Sequence, residues 1–444
     1  MSGGRANYSL SSLIHFFGLS SKENGFSNLK ELQQIYSDLT ETFKNDSKIE
    51  FLYNLEFDVL SIVVEMERNG IIPDLDFFKN AEVTLQKDKE RLVKEIYENV
   101  GHEFNISSPK QVGEILFVEK SLPIVKKTKK GSFSTDERTL RDLLGIDPII
   151  ENILNYREVE KILNTYVKSL PTYLNKKTGR IHAIFDQLGA ISGRFSSKNP
   201  NMQNIPKGET LGLNIRNGFI SKEDSYFISF DYSQQELRIL AALSGEEVMI
   251  ESFNNDRDIH KITATEIFNV TEDEIDEVKR NQGKTINFSI IYGISAFGLA
   301  DRMKIPRDQA TLFINRYFEK YTKVRKFMDE VLEKARLNGY VETVLGRRRY
   351  SQTINSNNRN LRSSAEREMF NLVIQGTAAD IMKLCMESFE ELTKKYPAKL
   401  LLQIHDEFLF EFKSDSKDSD EIKSFVEEVK EIMVNVYDLG VKYK

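Results

Sequence analysis

Apolar positions recur at helical spacing over residues 28–65, which predicts a helix closing between Glu65 and Gly70, with Pro73 beyond the break. Residues 74–99 predict a second, strongly charged helix ending near Gly101. The stretch 102–136, with Ser107-Ser108-Pro109, reads as loop. Helix returns over 148–170 and stops at Pro171. The texture then changes. Residues 180–186 (RIHAIFD) alternate as a strand does, and 191–206 (ISGRFSSKNPNMQNIP) carry the Gly, Ser, Asn and Pro of a loop. Residues 225–231 (SYFISFD) predict a buried strand ending in an acid, and 233–243 a helix. Helices dominate 258–340. Residues 399–412 (KLLLQIHDEFLFEF) read as two apolar strands joined by a tight hairpin at His405-Asp406, with a final helix after them. The plan is that of an α+β enzyme whose sheet is split by a helical insertion.

Composition changes this picture little. The 444 residues are 40% hydrophobic, ample for a large core. The single cysteine, Cys385, leaves no disulfide framework and no cysteine metal site, which suits a reducing cytosol. The opening MSGGRANYSL lacks the basic region and apolar core of a signal peptide. No apolar run approaches the ~18 residues of a membrane span. The expectation is a cytoplasmic protein without a membrane partner. There is no GxxxxGK[ST], which excludes a P-loop ATPase or helicase.

Net charge is −6, which taken alone argues against nucleic acid. What matters is where the cations cluster. They gather at Lys126-Lys127-Lys129-Lys130, at Lys279-Arg280 with Lys284, and at Arg347-Arg348-Arg349. The plain alternative for each cluster is a solvated face.

Five constellations could carry chemistry. Asp231 ends one apolar strand and Asp406, followed by Glu407, sits at the hairpin tip. If those strands share a sheet, the two carboxylates meet at one edge, and paired carboxylates suit hard divalent cations. Taken singly, each Asp is more readily a turn or cap residue. Arg280, Lys284, Phe288 and Tyr292 recur every four residues, each step advancing ~40°, so they form one slowly winding stripe. Cations followed by rings suit a triphosphate followed by a base and sugar; an exposed basic end and an aromatic core end is the alternative. Arg194 in SGRFSS, with Asn201, Gln203 and Asn204, puts hydrogen-bonding groups on a loop. Arg367, Asn371 and Gln375 project at intervals of four from an apolar helix and need partners, from nucleic acid or from the core. His260 and His405 stand near acids without zinc-site spacing.

Together these segments resemble family A DNA polymerases, from about residue 51 to the C-terminus. The carriers are DYSQQELR at 231–238, RNQGKTINFSIIYG at 280–293 and QIHDE at 403–407. SGRFSS with NPNMQNIP, DIH at 258–260, LGRRRY at 345–350 and EREMFNLVIQGTAAD at 366–380 add to them, all in family order. The resemblance implies a right-hand polymerase fold with an antiparallel palm sheet, helical fingers and a helical thumb. By similarity, residues 1–50 are an N-terminal extension, weakly similar to the tail of an exonuclease domain. The thumb and connecting helices are 51–170, the palm 171–243 and 372–444, and the fingers 244–371. The implied activity is template-directed addition of dNTPs to a primer 3′ end, with release of pyrophosphate.

The site roles follow by the same similarity. Asp231 and Asp406 are ligands of two magnesium ions, manganese being able to substitute; the Tyr232 carbonyl joins them and Glu407 lies just outside. Lys284 is catalytic as well as nucleotide-binding. Arg280, His260, Phe288, Tyr292, Glu236 and Gln234 also belong to the nucleotide site. Arg194, Asn201, Gln203, Asn204, Arg367, Asn371, Gln375 and His405 follow the primer–template. The implied partners are primer–template DNA and dNTPs, bound by a monomer. Gln235 stands where relatives commonly carry an apolar residue, and Ser289 replaces a usual glycine. About 50 residues precede the match, too few for a proofreading domain, so no 3′→5′ exonuclease activity is expected. Two other readings remain: a single-subunit RNA polymerase, against which Glu236 argues, and a non-catalytic replisome protein.

Overall fold

The computed structural model describes residues 28–444 except Lys129. Residues 1–27 of the expected N-terminal extension, and Lys129 of the first lysine cluster, therefore lie outside the described residues. The chain divides into two compact units.

One unit comprises residues 69–184 and 198–223. Its long helix, Leu75–Val100, begins where the Asp74 carboxylate accepts from Phe77 N at 2.9 Å. It ends at Gly101, whose φ of +91° suits the residue with no side chain. The expected loop over 102–136 is in part helical. The Ser108 side chain accepts from Gln111 N and Pro109 opens the helix Pro109–Glu114, which widens into a π turn, Ile115–Glu119. So short a helix shows too few turns for periodicity to reveal. The strand expected over 180–186 is broken. Arg180–Ile181 pairs with Leu174–Asn175, and Ile184–Asp186 is a separate short strand. The helix expected over 148–170 runs Pro148–Ile162, then passes through a π turn to Val167.

The other unit includes residues up to Arg68, Phe185–Ser197 and Asp224–Lys444. The single helix expected over 28–65 is two, α1 (Asn28–Lys44) and α2 (Ser47–Asn69). Asp46 breaks it by accepting from Lys48 N and Ile49 N at 3.2 and 3.4 Å. Three antiparallel strands, β1 (Ser225–Asp231), β2 (Ala398–Ile404) and β3 (Glu407–Lys413), form a sheet in the order β2-β3-β1. Ile404 pairs with Glu407, so the hairpin turn is His405-Asp406 as expected.

Period-two alternation decides what each sheet face does. Phe408, Phe410 and Phe412 point to one face and are fully buried. There they meet Phe389 and Phe425, with Phe389–Phe408 centroids 4.9 Å apart and Phe410–Phe425 5.3 Å apart. These rings clamp the sheet to the helix Arg359–Lys395 before the hairpin and the helix Asp420–Asn435 after it, and Phe410→Ala would cost about 3–5 kcal/mol. Glu407, Leu409 and Glu411 take the other face, opposite Asp231, Ser229 and Phe227. β1 is mostly half-buried, not the buried strand expected, because it lies at the edge of the sheet with only one neighbouring strand.

Four further helices matter here: α3 (Gln235–Ser244), α4 (Ile259–Phe268), α5 (Glu277–Ile291) and α6 (Arg359–Lys395). α5 packs against α3, α4 and α6. Its close approach to α4 needs Gly283, where a Cβ would fall 2.3 Å from the His260 carbonyl oxygen. No described helix is long and apolar enough to cross a membrane.

Candidate active site

The antiparallel register sets Asp231 directly opposite Glu407, on the same face of neighbouring strands. The backbone N–H of Tyr232 donates to the Asp406 carbonyl at 3.1 Å, which brings the hairpin tip beside the end of β1. Residues 231 and 406 thus meet at one sheet edge, as the strand pattern implied. Glu407 is buried and accepts from the Ser229 hydroxyl at 2.7 Å, whereas Asp231 is exposed and Asp406 half-buried. Like charges placed directly opposite in a sheet repel, so this edge suits a bound cation. Its donors are all oxygen, which fits a hard divalent ion. Among the described residues no group of three or more His, Cys, Asp or Glu is arranged to hold a metal alone.

Beyond Asp231 the chain turns sharply. Gln234 adopts φ of +51° at the start of α3, and Ser233 N donates to the Lys444 carbonyl at 2.7 Å. Glu236, 9% exposed, then faces inward. Arg194 Nη2 lies 2.5 Å from its Oε1, and the Tyr292 hydroxyl is 3.5 Å from its Oε2. Burial, then the Glu236 charge, raise the Tyr292 phenol above its ordinary pKa, and Gln375 contacts the same hydroxyl. Four residues expected in the site, Arg194, Glu236, Tyr292 and Gln375, are therefore one cluster. On the same helix as Gln375, Asn371 holds a buried Oδ1 with no hydrogen-bond partner. Arg367 packs on Gly293, where a Cβ would fall 2.8 Å from its Cγ. A partly open cavity of about 370 Å³ lies here, lined by residues including Ile290, Gly293, Ser295, Phe318, Arg367 and Phe370.

The basic end of the α5 stripe is arranged differently. Arg280 Nε is 2.5 Å from Asp258 Oδ2, and Asp258 also caps α4 by accepting from His260 N and Lys261 N. Lys284 is exposed and makes no ion pair among the described residues. His260 is 2% exposed, its ring centroid 5.9 Å from that of Phe288. Burial, and next the charges of Arg280 and Lys284, outweigh Asp258 and push its pKa down to about 4. It is neutral near pH 7. Thr263 donates to Asn287 Oδ1 at 3.0 Å, and the Asn287 amide meets His260 Nδ1 at 3.1 Å. That relay makes Nδ1 the acceptor and puts the proton on Nε2.

Asp258 and Asn287 were missed as individual residues. Asp258 had a signal, an acid just before a helix start. Asn287 had only its polarity in an apolar stretch. Of the remaining expected residues, His405 stands exposed at the hairpin tip with φ of +57°. Ser289 is buried with its hydroxyl 3.5 Å from Arg302 Nη1, and Gln235 is buried with Nε2 unpartnered. Asn201, Gln203 and Asn204 belong to the other unit. There Asn201 accepts from Gln203 N at 3.1 Å, Gln203 is buried, and the Asn204 carbonyl accepts from Tyr166 at 2.7 Å. The basic run Arg347–Arg349 is not a solvated face. Each arginine is held by acids: Glu56 and Asp380, Asp46 and Glu342, and Glu368 respectively.

A strand-edge acid pair and a helix bearing cations and then rings, in an α+β frame, define the class of this protein. The chain belongs to DNA polymerase family A, whose model matches residues 75–444. It is 39% identical over 411 residues to the thermostable DNA polymerase I of Thermus thermophilus, covering 92% of this chain and 49% of that one. It is also 39% identical over 416 residues to DNA polymerase I of Bacillus subtilis, covering 93% of this chain and 47% of that one. The chain thus spans about half the length of the curated relatives it matches. A solved structure, the POL domain of Pol1 from M. smegmatis in complex with DNA primer-template and dNTP, superimposes with a TM-score of 0.92 at 32% identity. That match covers all of this chain and 78% of the solved one. The right-hand polymerase fold implied by the sequence is the fold of this chain.

Proposed function

We propose that the chain is the polymerase portion of a DNA-directed DNA polymerase, extending a primer 3′ end with dNTPs and releasing pyrophosphate. One observation carries this reading: two aspartates 175 positions apart in sequence meet at the edge of one small sheet. Asp231, Asp406 and the Tyr232 carbonyl would hold two magnesium ions, and Glu407 would stand just behind them. When bound, the ions supply charge for the triphosphate and lower the pKa of the attacking hydroxyl. Arg280 and Lys284 bind and orient the triphosphate. Lys284 meets charge that grows in the transition state, and it is available because no acid among the described residues pairs with it. Neutral His260, protonated on Nε2, donates to the same anion without adding charge. Phe288 and Tyr292 face base and sugar, with Gln234 nearby. The cavity beside Gly293 receives a templating base.

Glu236, locked between Arg194 and Tyr292, fills the space beneath the sugar. A 2′-hydroxyl would meet filled volume and disturb a part-buried polar pair, which is costly. This supports a DNA polymerase over an RNA polymerase. Arg194, Arg367, Asn371, Gln375 and His405 would follow the primer–template, and Asn201, Gln203 and Asn204 are assigned to the same role. Domain roles are assigned likewise: thumb in 51–170, palm in 171–243 and 372–444, fingers in 244–371. The test is extension of a labelled primer by the purified chain with magnesium and either dNTPs or NTPs. dNTP-dependent extension is expected. Preferential NTP use would favour the RNA polymerase, and no extension with intact DNA binding would favour a non-catalytic protein.

A further inference from the structure

Four charged side chains from three segments of the chain, Glu56, Arg347 and the pair Asp380 and Lys383 on α6, meet inside the larger unit. Lys383 Nζ, 1% exposed, lies 2.6 Å from Glu56 Oε1, and Arg347 Nη2 lies 2.7 Å from the same oxygen. Arg347 Nε reaches Asp380 Oδ1 at 2.7 Å, and the Thr343 hydroxyl donates to Asp380 Oδ2 at 2.6 Å. The Gln187 amide donates to the second oxygen of Glu56 at 2.8 Å. Two acids and two bases balance, and every carboxylate oxygen has a donor. Stability alone explains such a cluster poorly, because well-packed apolar residues often replace buried ion pairs at no loss.

What the two cations touch besides acids suggests a purpose. The Arg347 guanidinium lies against the backbone of Gly193, where a Cβ would fall 2.6 Å from its Nε. The Lys383 ammonium sits 5.2 Å from the centroid of Phe195. Arg194 is the residue between them, and its guanidinium holds Glu236. Both backbone neighbours of Arg194 are thus fixed by the cluster. A loop residue with a long side chain is otherwise free to swing, and a misplaced Arg194 would release Glu236.

We infer that Arg347 and Lys383, balanced by Glu56 and Asp380, are positioning residues that set Arg194 and, through it, the Glu236–Tyr292 pair that discriminates sugars. This rests on the function proposed above. Glu56→Gln with Lys383→Met removes one charge of each sign and leaves the Arg347–Asp380 pair intact. The experiment measures kcat/KM for a matched dNTP and rNTP on one template. It compares the wild-type chain, this double variant, Arg194→Ala, and the three changes combined. The double variant should move the ratio toward the ribonucleotide by about threefold or more, and should move it no further once Arg194 is gone. An unchanged ratio in a folded double variant overturns the inference, as does an equal shift in both backgrounds. Should the double variant not fold, Arg347→Lys, which keeps the charge but withdraws the guanidinium from Gly193, must give the same shift; an unchanged ratio there overturns it equally. The side-chain N–H resonance of Arg194, followed without substrate, separates the two ideas. If the double variant loosens Arg194 while the wild-type chain extends neither nucleotide, positioning stands and the polymerase reading falls. If Arg194 does not loosen, positioning falls.

Discussion

Two basic clusters that look alike in sequence behave oppositely in the fold. Arg347–Arg349 turn inward, and each finds one or two carboxylates. Arg280 and Lys284 have less: Arg280 binds Asp258 and, at 3.5 Å, the exposed Glu277, while Lys284 is exposed without an ion pair among the described residues. The first cluster is neutralised within the protein and serves its architecture. The second leaves positive charge beside a neutral histidine and an aromatic stripe, as a site for a polyanion requires. A run of cations therefore identifies a binding face only once its internal partners are known.

The comparison can be tested at its strongest point first. If the open cluster receives a triphosphate, the acids of the sheet edge are equally necessary. Asp231→Ala and Asp406→Ala should each lower primer extension by about three orders of magnitude, the loss of several kcal/mol of charge stabilisation. A gel-shift measurement should find duplex binding nearly unchanged. Extension close to wild type in either variant would remove the metal assignment.

Exchanging lysines sharpens the contrast. Lys284→Ala should lower kcat/KM for dNTP by about 10²–10³-fold while leaving the urea midpoint where it was. Lys383→Ala should instead cost about 3–5 kcal/mol of stability, because Glu56 loses a buried partner. The opposite assignment of effects would break the distinction between the clusters.

His260 gives a pH test on the open side. Its pKa of about 4 in the folded chain is below the ordinary 6.5. Above pH 6.5 the ring is neutral in both states and costs nothing. As pH falls from 6.5 to 4, the unfolded chain takes a proton that the folded chain refuses, and stability declines by up to about 3 kcal/mol. His260→Gln should flatten this decline, read as urea midpoints at pH 7 and 4.5. Equal acid sensitivity in the two proteins would show that His260 is not held neutral.

The smallest effect concerns the residue between the two regions. Glu236→Ala should shift the rNTP/dNTP ratio of kcat/KM toward the ribonucleotide by about tenfold. A fixed ratio would strip Glu236 of its role and weaken the case against an RNA polymerase.

Much of the site was legible because local pattern and chemistry coincide there. Alternation in SYFISFD and KLLLQIHDEFLFEF placed two aspartates at strand ends, and intervals of four aligned the α5 stripe. Helix existence was equally clear where periodicity was long. Short or interrupted elements were not: the six-residue helix at Pro109, the break at Asp46 and the broken strand at 180–186. Each turns on a single cap or pairing partner rather than on a repeated pattern. The exposure of β1 was misread because its place at the sheet edge depends on strand order, which alternation does not encode.

The sequence by itself determined the acids, the hairpin, the stripe and the family, since these follow from residue type at short spacing. Only the tertiary structure decided which charges are cancelled. Arg347 meets Glu56 across 291 positions and Lys383 meets it across 327. Coulomb energy depends on separation in space and on the dielectric around the pair. Neither is written in the chain until α2, α6 and the loop through Gly193 have packed together.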